Sequence, residues 1–243
     1  VTADLQSLTS IQIAGLASGQ VIALTTGQLS SLSDSQVSNI STGVISSLST
    51  AQLTAIHTSS SQIQAITTSQ LAAMPASYFA KLNNAFQYLT SAQMKGLNTA
   101  DIAALSSASL SAIQTSQLPG LSTTQIVALS SAQIPYLSSA SLNALSSTQL
   151  RALTTQDIAA LTPAQMQALS TSSLNLLSTS QIKAIVTADL QSLTSIQIAG
   201  LASGQIIALT TGQLSSLSDS QVSNTSTGVI SSLSTAQLTA IHT

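Results

Sequence analysis

At 243 residues the chain is long enough for one large or two ordinary globular domains, yet only 4% of it is charged and 2% aromatic, with no Trp, Cys or Glu; so biased a composition argues against a conventional core. Four basic and six acidic residues, scattered along the chain for a net charge of -2, leave no basic stripe for nucleic acid and no polybasic membrane patch. A mean hydropathy of +0.41 would suit a membrane protein, but Ser, Thr or Gln interrupts every apolar run well short of the ~18 residues a spanning helix needs, and without Cys there are no disulfides or thiolate metal sites.

From its first residue the chain repeats itself on two scales. Residues 1–58 recur as 186–243 with two differences, Val21 against Ile206 and Ile40 against Thr225. The long period is therefore 185 residues: 1–185 reads as one long unit and 186–243 as the start of the next copy. Val1 opens on no signal or transit segment, which fits a mature or internal stretch of a longer array. Nested inside is a period of eight: Gln, Ile/Leu, any residue, Ala, Leu, Ser/Thr, Ser/Thr, any residue. It is clear in Gln125-Ile126-Val127-Ala128-Leu129-Ser130-Ser131-Ala132. Beginning at Asp4, 28 octads follow; position two is Ile, Leu, Val or Met in all 28, and position five is aliphatic in all but the one with Thr225.

Positions two and five have opposite parity, so a strand would turn them to opposite faces. A continuous helix would rotate by about 800° in eight residues and drift by about 80° per octad. The spacing therefore predicts a helix that restarts in every octad. Position six is Ser or Thr in 20 octads, and three residues on, position one is Gln in 19 and Asp in four, which is a capping box with position six as N-cap. The preceding Leu and the following Ile then form the hydrophobic staple. All six Asp (4, 34, 101, 157, 189, 219) fall at the first or third helical position, towards the positive end of the helix dipole, while Lys95, Arg151 and Lys183 fall in the last turn. Pro163 lands on the first helical position, where its missing N–H is harmless. Pro119 and Pro135, at position three, require helices of about one and a half turns that are partly 3₁₀. All ten Gly occupy position four or eight, which suggests close backbone approach at both. The expected fold class is an all-α solenoid or superhelix of very short capped helices, with a β-solenoid as the alternative. Such short helices gain stability only from neighbouring repeats.

One element breaks the array. The octad phase slips at residues 57–61 and again around 74–92, and this stretch holds both Phe and two of the three Tyr. From Ser77, the spacing of Phe79, Leu82, Phe86 and Leu89 predicts an amphipathic helix of about four turns, so that 57–92 interrupts the long unit with a longer aromatic helix. Two roles are open to it: a plug over the solenoid core, or a protomer contact presenting Tyr78, Phe79, Phe86 or Tyr88, with Tyr78 or Tyr88 exposed.

Catalytic and metal chemistry have no candidate residues. His57 and His242 are one position in two copies and occupy an N-cap slot. The Asp residues read as helix-end charges, no Gly precedes a Lys-Ser/Thr pair, and no His/Cys/acid cluster forms. No enzyme activity and no cofactor are expected. Asn39-Ile40-Ser41 and Asn224-Thr225-Ser226 match the glycosylation sequon.

The phrase Leu161-Thr162-Pro163-Ala164-Gln165-Met166-Gln167-Ala168-Leu169 resembles the repeat arrays of very large bacterial surface proteins, described as adhesin-like, haemagglutinin-like or haem-utilisation proteins. The resemblance covers the chain except for about 74–92. It implies secretion, an extracellular or cell-surface location and a fibrous or adhesive role, and it carries no functional residue over. The expected function is that of a structural protein whose identical chains self-associate into an extracellular filament, sheath or surface fibre, with other cell-surface components as further partners. A monomeric adhesin stalk is the alternative, and ice or carbohydrate binding by the Ser/Thr surface a third reading.

Overall fold

The structure, a computed structural model, describes residues 5–56 and 59–241; Asp4, His57 and His242, and with them the N-cap expectation for both His, lie outside the described residues. No strand occurs among the described residues. Helices of four to seven residues follow one another from Ser10–Ala14 to Thr235–Ile241, with 3₁₀ segments at Asn83–Tyr88, Leu118–Gly120 and Ile134–Tyr136. The fold is an all-α repeat solenoid, not a β-solenoid.

One octad explains the local structure of the others. Thr162 is extended (φ -83°, ψ 156°) and its hydroxyl accepts from the Gln165 N–H; Pro163 opens the helix, and extended Leu169 closes it. Two consecutive extended residues, Leu169 and Ser170 at positions five and six, thus separate this short helix from the next and reset its direction. Asp34 and Asp219 stand at the first helical position, Asp101, Asp157 and Asp189 at the third, and Lys95, Arg151 and Lys183 in the last turn. At Pro119 and Pro135 the octad becomes 3₁₀, with the Gly120 N–H donating to the Gln117 carbonyl and the Tyr136 N–H to the Gln133 carbonyl.

The aliphatic residues at positions two and five form the core, as Ile158 and Leu161 or Met166 and Leu169 illustrate. The chain clusters into two units, Val1–Ala128 and Leu129–Thr243. In the first, helix Thr26–Ser30 packs on Thr50–Ile56, three repeats further on; in the second, Thr155–Ala159 packs on Thr179–Ala184 and Pro163–Ala168 on Thr187–Ser192. Side-chain bonds between stacked segments span 25 to 31 residues, so within each unit one coil takes between three and four octads.

Two expectations are corrected. The aromatic segment is not one four-turn helix: an α-helix at Ala76–Leu82 ends at Asn83, whose φ of 48° lies in the left-handed region, and a 3₁₀ helix, Asn83–Tyr88, follows. The break reveals two further repeats, Tyr78-Phe79-Ala80-Lys81-Leu82-Asn83-Asn84 and Ala85-Phe86-Gln87-Tyr88-Leu89-Thr90-Ser91-Ala92. The first is one residue short. Phe79, Leu82, Phe86 and Leu89 fill the ordinary core positions two and five, all of them buried, so the segment continues the array rather than interrupting it. Close approach at glycine holds for only part of the set. At position four, a Cβ on Gly120 would strike the Ser91 carbonyl, one on Gly200 the Thr171 methyl, and one on Gly96 would lie 3.1 Å from Thr68 Cβ. The position-eight glycines, such as Gly19, Gly27 and Gly212, face open space.

Candidate functional site: a glutamine seam between coils

The most repeated polar feature is the side chain at position one. Gln165 Oε1 accepts from the Thr162 N–H (2.9 Å), completing the capping box. Its amide Nε2 does something the capping box does not require: it donates to the carbonyls of Ile134 (2.9 Å) and Leu137 (2.7 Å), positions two and five of a stacked coil. Gln93 donates in the same way to Ile63 and Ile66, Gln117 to Phe86 and Leu89, and Gln181 to Leu150 and Leu153, all at 2.7–2.9 Å. One buried amide therefore satisfies a helix start on its own coil and two carbonyls on the neighbour. At position one Glu would cap as Gln does, but it would present carboxylate oxygen to carbonyl oxygen and carries no N–H.

A second row bridges the coils from position three. Asn143 donates to the Ala168 carbonyl (2.7 Å) and accepts from the Ser170 N–H (2.8 Å); Asn175 donates to the Gly200 carbonyl and accepts from the Ala202 N–H. Ala202 is an N-cap with no side chain to cap with, so its helix leans on Asn175 and on the Gln205 amide oxygen instead. Arg151 Nε donates to the Leu176 carbonyl at 3.1 Å, which gives this cation a bond to the next coil besides its place at a helix end.

Asp occupies the glutamine position at 101, 157 and 189. Asp157 Oδ2 accepts from both the N–H and the hydroxyl of Thr154. Asp101 Oδ1 and Asp189 Oδ2 are buried and meet no donor. Burial raises the carboxyl pKa of both; at Asp101 the hydrogen bonds from Asn98 partly oppose the rise. These two are buried acceptors in a seam built for a donor, and more than the helix-end charges that the sequence suggested.

Of the four aromatic residues expected at a protomer contact, Tyr78, Phe79 and Phe86 are 1% exposed or less, and Tyr78 stacks edge-on against Phe79 with ring centroids 5.2 Å apart. Burial pushes the Tyr78 phenol well above its ordinary range. These three offer no side chain to an outside partner unless the segment opens. Only Tyr88 is exposed, at 39%. Among the described residues no three His, Cys, Asp or Glu side chains converge as metal ligands, and no helix is long and apolar enough to cross a membrane.

Fold and seam together define a helical repeat protein whose recurring polar residues serve coil stacking. More particularly, part of the chain is similar to a described repeat, the ALTTAQ repeat, whose family model matches residues 110–147, 137–171 and 152–186 in three overlapping windows. The name is matched at all but Pro163 in Ala160-Leu161-Thr162-Pro163-Ala164-Gln165. No curated protein matches the chain.

Proposed function

We propose that this chain is a structural repeat protein that works outside the cell, its identical copies self-associating side by side into a filament, sheath or surface fibre, without enzymatic activity. The observation that carries the reading is the seam itself: the recurring Gln, Ser and Thr side chains are spent on caps and coil-to-coil bonds, so what repeats is a device for extending the array. Composition supports lateral association, because a surface with so few charges repels its copies weakly. So do the exposed aliphatics that return with the long period, Ile11 (81% exposed) and Ile196 (75%). Sedimentation of the purified chain tests this. Assemblies are expected to persist in about 1 M salt, where exposed charge interactions are screened within about 3 Å, and to shrink when Ile11 and Ile196 are replaced by Ser. Dispersal by salt, or a chain that sediments as a monomer at every concentration, would favour an isolated adhesin stalk instead.

A further inference from the structure

Asp101 and Asp189 differ from every Gln at position one in a way that the solenoid does not need. Each is 1% exposed, and each has one carboxylate oxygen with no donor. The register says what surrounds them. Gln181 and Gln197, one octad before and after Asp189, donate across the seam to Leu150 and Leu153 and to Gln167 and Leu169. By the same offset Asp189 stands over the carbonyls of Ile158 and Leu161. Gln93, one octad before Asp101, donates to Ile63 and Ile66, which places Asp101 over those of Leu71 and Met74.

An ionised carboxyl here is an acceptor set among acceptors. A protonated one has the O–H donor that the position calls for. Little nearby would hold the charged form. The helices packed on Thr187–Ser192, namely Pro163–Ala168 and Thr211–Ser215, carry no ionisable residue; of those packed on Thr99–Ala103, Ala76–Leu82 carries Tyr78, whose phenol is buried, and Lys81, which is exposed, and Thr123–Val127 carries none. The next ionisable groups along the chain are Lys95 before Asp101, and exposed Lys183 before Asp189; in the coil beneath Asp189 the ionisable group is another carboxyl, Asp157.

We propose that Asp101 and Asp189 are proton-keyed positions of the coil seam: protonated, each donates to the carbonyls of the stacked coil, and losing the proton opens that stretch of seam. The device is independent of what the chain assembles into. It makes this an acid-tightened array, one Asp in each unit.

Amide exchange of the full chain between about pH 3.5 and pH 8, corrected for the intrinsic pH dependence of exchange, tests the idea alongside carboxyl titration by NMR. Opening of Thr99–Ala103 and Thr187–Ser192 is expected to increase severalfold across that range as the two carboxyls lose their protons. The increase should vanish in the Asp101→Asn/Asp189→Asn chain, which keeps the shape and carries a permanent donor, and persist in the Asp34→Asn/Asp219→Asn chain, whose substituted carboxyls are exposed. An unchanged increase in Asp101→Asn/Asp189→Asn would overturn the proposal. So would ordinary titration of both carboxyls, or protection at pH 7 that appears with added calcium rather than with acid.

Discussion

The glutamine at position one carries the most information per residue. Its amide oxygen does local work, three residues from its partner, and its amide nitrogen does distant work, about 28 residues away. Gln165→Glu separates the two, because it keeps the cap and inverts the seam. We expect it to destabilise the second unit by about 2–4 kcal/mol, as a buried acceptor pair without a donor costs that much, and by at least as much as Gln165→Ala; thermal unfolding of both variants checks the order. Asn83 is a second such test. At φ 48° and ψ -131° any Cβ is strained, so Asn83→Gly should stabilise by up to about 1 kcal/mol and Asn83→Ala should not. The buried aspartates give stability a sign with pH. A carboxyl whose pKa is raised on folding holds its proton more tightly in the folded state, so its stabilisation is full below the ordinary value of about 4 and is lost as the pH climbs through the raised one. Thermal stability should therefore decline from acid towards neutral pH, and more shallowly in the Asp101→Asn/Asp189→Asn chain.

At the scale of the element, what was legible in the sequence was what is local. Ser and Thr three residues before Gln announced the N-caps, Pro163 the first helical position, and Pro119 and Pro135 the 3₁₀ turns, because each of these acts within a single turn. The seam was hidden because its acceptors are backbone carbonyls in another coil, which leave no mark on residue type; the one available signal was that Glu never stands where it would cap equally well. The repeats at 78–92 were hidden for a different reason. Tyr78 fills the glutamine position, Pro75 the cap, and one residue is missing at Asn83–Asn84, so the apolar spacing mimicked a single long helix. Glycine shows how packing between elements splits a class that looks uniform in sequence. Gly120→Ala drives a methyl into the Ser91 backbone and should cost about 1–3 kcal/mol. Gly27→Ala, at an open helical position, should instead stabilise by about 0.5–1 kcal/mol. Chemical denaturation of the two variants is the check.

For the whole molecule, a short period that satisfies its polar groups between coils has a consequence that one octad lacks. Each added repeat gains partners already in place, so stability is a property of neighbours rather than of any single helix. The long period also returns Ile11 as Ile196. Regular lateral contacts are what a fibre-forming chain requires, and they need no charge, no metal and no catalytic group. Electron microscopy of the purified chain tests the proposed assembly most directly. Ordered filaments or sheets of laterally aligned chains are the expected result, and single dispersed particles at concentrations where the chain is fully folded would contradict it.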